Sequence, residues 1–139
     1  MKKHTMIAAA VAAVLFSATA IAQPVTNKHC CTSERAKVNY LIGARSDNEG
    51  LSESSLMETA KVKMLHPDAN LQEIKSVADS LALNGSTPSL RYMAYLASNV
   101  LENPGWFGGK TAAGAETPDK FFASIATELQ ERVLGSRAN

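Results

Sequence analysis

The sequence predicts an all-α fold, a small bundle of four to five helices arranged as antiparallel helical hairpins behind a signal peptide. Three observations carry that expectation. Apolar residues recur at three- and four-residue spacing over several stretches of 12 to 17 residues, which is the period of one helix face. The stretches are bounded by cap, proline and glycine signals. No series of alternating strands joined by hairpin turns is present to build a β-fold.

The first 22 residues read as a secretory leader. Lys2 and Lys3 form a basic head, an apolar run follows, and Ala20-Ile21-Ala22 offers the small-x-small site that a signal peptidase cuts, so cleavage is expected after Ala22. The run is shorter than the roughly 20 apolar residues of a membrane span. The expected destination is the bacterial periplasm or the medium. Removing the leader takes two of the 14 Lys and Arg and none of the 13 Asp and Glu, leaving the processed chain one unit negative. Such a near-neutral balance, with no basic stripe, argues against nucleic acid and against anionic lipid as partners. The division expected is a leader over 1–22, a flexible tail over 23–32 and one helical domain over 33–139, long enough for a single core.

Segment 33–45, SERAKVNYLIGAR, is ambiguous. Ser33 and Glu34 allow a helix start, whereas VNYLI alone passes for a strand. From Ser52 the spacing of Leu56, Met57, Ala60 and Met64 predicts a helix that stops at His66-Pro67, because proline disfavours helical geometry in the residue before it. LQEIKSVADSLAL sets Leu71, Ile74, Val77, Ala78, Leu81 and Ala82 on one face, and Asn84-Gly85 reads as a left-handed stop. Thr87 and Pro88 are a cap and a first helical residue for a stripe of Leu90, Met93, Ala94, Leu96, Ala97, Val100 and Leu101. The short 84–87 connection makes these two helices antiparallel neighbours. Residues 103–117 form a long connection rich in glycine and alanine. Thr117-Pro118 repeats the start signal for a last helix with Phe121, Phe122, Ile125, Ala126, Leu129 and Val133 inward, closed by Gly135. Met57, Met64 and Met93 fall on these apolar faces and read as packing rather than as copper ligands.

Candidate sites are few. His29, Cys30 and Cys31 could hold a soft metal, close a vicinal disulfide, or link two copies as a disulfide-bonded dimer through Cys30 or Cys31. A structural zinc site takes four ligands, and the three histidines of the chain include one, His4, that departs with the leader. Trp106-Phe107, flanked by glycines in the long connection, could grip a partner or fold back over the open end of the bundle. Arg91, Tyr95 and Glu102 share one side of their helix within about 40°, and Arg91 and Tyr95 are taken with Trp106 and Phe107 as the candidate partner-binding set. Gly105 to Thr111 is not a phosphate loop, since three residues rather than four separate Gly105 from Gly109-Lys110.

His66-Pro67-Asp68 between two helices resembles the J-domain of chaperone cofactors, and Tyr40-Leu41-Ile42-Gly43 is similar to that family's Tyr-x-x-Leu-Gly start at nearly the family's distance. The resemblance covers about 45 residues and implies an ATP-driven chaperone partner. The chain departs from the family at Lys61, which occupies a core position, and in its thin basic surface. With two histidines left after cleavage and no spacing that singles out a catalytic set, catalysis is not expected, and neither is a cofactor. The functional expectation is a small exported binding or interaction protein of the cell envelope, whose partner is another envelope protein. The alternatives are a metal-binding or redox-responsive protein using His29, Cys30 and Cys31, and a secreted inhibitor or toxin-like factor.

Overall fold

A computed structural model describes residues 33–107 and 114–135, so the leader, the His29-Cys30-Cys31 tail and the segment 108–113 lie outside the described residues. Five α-helices and no strand occur among the described residues: α1 (Glu34–Ala44), α2 (Glu49–Leu65), α3 (Gln72–Asn84), α4 (Pro88–Glu102) and α5 (Pro118–Gly135), with one 3-10 turn at Pro104–Trp106.

The ambiguous first segment is helical. The Ser33 hydroxyl accepts from the Ala36 N–H at 3.2 Å, and Lys37 meets Glu34 at 2.7 Å one turn along. What decides the matter is contact with α2. Gly43 and Ala44 are buried against it, and Ser52 donates its hydroxyl to the Ala44 carbonyl at 2.9 Å. A Cβ on Gly43 would stand 1.9 Å from the Ser55 Oγ and 3.0 Å from its Cβ, so the close approach requires glycine. Val38 and Ile42, which gave the segment its strand-like appearance, both face outward.

Helix α2 begins three residues before Ser52, because Asn48 is the cap and accepts from the Leu51 N–H at 3.1 Å. Ser52, Ser55 and Thr59 are buried. Small hydroxyl side chains let helices close up where larger ones would hold them apart. The helix stops at Leu65, and Lys63 ties down the His66-Pro67-Asp68 turn by donating to the carbonyls of Pro67 and Ala69 at 2.6 and 2.8 Å. Beyond that turn α3 lies mainly against α4 and α1.

Thr87 caps α4 as its sequence predicts, accepting from the Leu90 N–H at 3.2 Å with Pro88 at the first helical position. All seven residues of the predicted α4 stripe are buried, facing α2 and α3, which makes α4 the central helix. The expected left-handed stop after α3 is corrected. Gly85 has φ −56° and ψ 149°, extended backbone open to any residue. Its lack of a side chain serves proximity instead, because a Cβ would sit 2.7 Å from the Leu81 carbonyl oxygen and 3.1 Å from Arg91 Cγ.

After α4 the chain turns back and Phe107 enters the core. Lys61 also helps to close this end. Its ammonium reaches the Ala115 carbonyl at 3.0 Å and lies 5.8 Å above the Phe121 ring, so the stem is packed while the charge keeps its partners. Phe121 and Phe122 meet edge to face at 5.0 Å between centroids and, with Ile125, anchor the first half of α5. The second half is different. Ala126 and Leu129 are half-buried, and Val133, predicted to face inward, is exposed because the core ends before it does.

Candidate functional site

The four partner-binding candidates do not form one surface. Phe107 is fully buried and so presents nothing to a partner, its ring being part of the closure of the core. Arg91 is turned toward the α3–α4 corner, where Nη1 donates to the Gly85 carbonyl at 2.8 Å. Glu102, in the same row of α4, is held by Lys75 of α3 at 3.0 Å. Tyr95 and Trp106 remain outward, 49% and 43% exposed. They stand on opposite flanks of the second half of α5. Trp106 adjoins Glu128, Glu131 and Arg132, and its carbonyl accepts from Arg132 Nε at 2.9 Å. Tyr95 adjoins Leu129, Gln130 and Val133. At about 100° per residue these two sets of α5 residues point roughly half a turn apart.

On the Tyr95 side the two helices frame an open groove of about 420 Å³, with Tyr92, Tyr95 and Leu96 as one wall and α5 from Ala126 to Leu134 as the other. Tyr92 is 55% exposed, Val133 49% and Leu134 53%. Between them lie Thr127 and Gln130. Among the described residues, no Asp, Glu, Lys or Arg lines this groove. Tyr92, Val133 and Leu134 are the residues that sequence reasoning missed.

The charged networks lie elsewhere and hold helices together. Asp79 of α3 accepts from the Ser98 hydroxyl of α4 and from Lys75 at 3.0 Å. The Ser98 hydrogen bond holds the Asp79 carboxyl below its ordinary range, burial works against it, and the Lys75 ammonium adds to the lowering. Lys75 is in turn pushed up, first by its hydrogen bond to Asp79 and then by that to Glu102. At the other end, where α2 and α4 begin, Thr87 donates to Glu49 and Ser89 to Glu53 at 3.4 Å. Burial first, then the Glu49 charge, raises the Glu53 carboxyl, and the Ser89 hydrogen bond opposes the rise.

Among the described residues no group of three or more His, Cys, Asp or Glu side chains converges to hold a metal ion, and no helix is long and apolar enough to cross a membrane. His66, Pro67 and Asp68 are exposed on the turn between α2 and α3. No protein-family model matches the chain, and no curated protein or solved structure matches it significantly.

Proposed function

We propose that this chain is a small exported binding protein of the bacterial cell envelope, and that it engages a protein partner through the α4–α5 groove. The observation that supports this is the grouping of Tyr92, Tyr95, Val133 and Leu134, each about half exposed, on a strip with no charged side chain among the described residues. Protein interfaces are depleted of charge at their centres and enriched in tyrosine, and tyrosines in such places carry a large share of binding energy. Tyrosine also offers large contact area at little entropic cost, having two side-chain torsions to fix. Export rests on the leader read from residues 1–22, and Trp106, on the opposite flank of α5, lies outside this contact.

The test is a photoreactive residue at Thr127, in the floor of the groove, in living cells that export the chain. A discrete protein adduct that disappears when Leu134 is changed to Lys supports the reading. No adduct at Thr127, or one that survives Leu134→Lys with the helices intact, overturns it. Fractionation with N-terminal sequencing tests export, and a product that keeps Met1 in the cytoplasm would remove the envelope from the proposal.

A further inference from the structure

The geometry points to a second copy of this chain as the occupant of the groove, the two copies being related by a two-fold axis beside α5. The inference rests on the binding reading above and names its partner.

Two complementary features lie side by side on one face. The first is a ridge. The fully buried residues of α5 are Phe121, Phe122 and Ile125, all in its first half, and Leu129 still packs against the core, so the exposed end runs from Gln130 to Gly135. At 1.5 Å per residue these residues make a short rod of about 9 Å that carries Val133 and Leu134. The second is a shelf, the exposed rings of Tyr92 and Tyr95 on α4. A two-fold operation sets the ridge of each copy on the shelf of the other, which is the self-complementary arrangement that closes a dimer without leaving either feature bare.

Charge fits the same answer. Ala123, Thr127, Gln130 and Leu134 form an exposed uncharged row along α5, so two identical faces meet with no like-charge opposition. Among the described residues this row offers a partner recruited by its charge nothing to pair with.

The area is sufficient for a small dimer. Half-exposed tyrosines leave on the order of 100 Å² each outside the core. With Val133, Leu134 and the neutral residues between them, the strip reaches roughly 500 Å² per copy, and two copies give about the 1,000 Å² in total that a specific interface needs. An interface at this lower limit predicts a weak, reversible dimer, its strength set by packing rather than by area.

The experiment is sedimentation of the processed chain carrying Cys30→Ser and Cys31→Ser, which excludes a disulfide link, from 1 to 100 μM. A concentration-dependent monomer–dimer equilibrium is expected. Its midpoint should rise at least tenfold in Tyr95→Lys and in Leu134→Lys with unchanged helical circular dichroism, while Trp106→Ala leaves it in place. Should the lysine variants unfold, oxidative crosslinking in the same background decides the question: Thr127→Cys should couple at least tenfold faster than Ser80→Cys on α3. A monomer at 100 μM, a dimer indifferent to the lysine changes, or equal coupling at the two positions overturns the inference. It fails separately from the binding proposal, since a Thr127 adduct with a mass other than twice that of the chain leaves the groove a binding surface for a different protein.

Discussion

Replacing Phe107 by alanine separates a packing role from a binding role for the Trp106-Phe107 pair. Phe107 is fully buried, with a neighbour on the chain, Trp106, that is 43% exposed. A buried aromatic removes about 200 Å² from water, worth about 5 kcal/mol at roughly 25 cal/mol per Å². The partly compact unfolded chain lowers this figure, and the cavity left behind raises it. The expected loss is therefore about 3 to 5 kcal/mol, a large part of the 5 to 15 kcal/mol by which such domains are stable. At about 4 to 8 °C per kcal/mol the thermal midpoint should fall by on the order of 15 to 30 °C. Trp106→Ala leaves no closed cavity, because solvent already reaches the ring, and should cost about 1 to 2 kcal/mol. Thermal and urea unfolding of the two variants, followed by circular dichroism, give both numbers. Equal losses, or a loss below about 1 kcal/mol for Phe107→Ala, would refute the assignment of that ring to the core.

Gly85→Ala should cost about 1 to 3 kcal/mol in urea unfolding, through overpacking against the Leu81 carbonyl, while Gly105→Ala, with open space around the position, should be nearly neutral. Gly43→Ala should cost a similar amount, and part of it should be recovered in the double variant with Ser55→Ala, since that change removes the nearest clashing atom. The Glu53 carboxyl is raised above its ordinary 4.5, so its contribution to stability is fullest below pH 4.5 and declines as pH rises through the folded-state value. Glu53→Gln should accordingly stabilise the domain at pH 7 and lose that advantage near pH 4, measured as the difference in midpoint between the two pH values. Asp79 behaves oppositely, being lowered from 3.8, so its contribution is complete above that pH and disappears as pH falls toward the folded value. Ser98→Ala should cost about 1 kcal/mol at pH 7, the usual worth of one hydrogen bond, and progressively less below pH 3.8.

Legibility in the sequence followed the locality of each signal. The α4 start was readable because a threonine cap and a first-position proline act within one turn, independently of the rest of the fold. The α4 stripe was readable because that helix is central, and a helix covered on a broad side shows its whole apolar face in its period. Helix α1 was not, because its apolar run is split between Val38 and Ile42, which point outward, and Tyr40 and Leu41, which pack partly against the core, while its closest contacts are made by Gly43 and Ala44, which carry little hydrophobic signal. The left-handed stop expected at Asn84-Gly85 does not form, and the real demand on Gly85 is invisible in the sequence, since the atom it must avoid, the Leu81 oxygen, lies close only once α3 is built.

The same reasoning explains why the candidate site was half visible. A helical wheel assigns directions around one axis and has no knowledge of where the neighbouring helix stops. On α5, Phe121, Ile125, Leu129 and Val133 share a face, yet that face is buried at its start and exposed at its end. Where the period continues past the core, the apolar residues it specifies are only half covered by the described residues. Continuing such a pattern at Val133 and Leu134 costs solubility unless something covers it. The place where intrachain packing fails to satisfy the pattern is thus the place to look for packing between chains, and here it coincides with the two exposed tyrosines of α4.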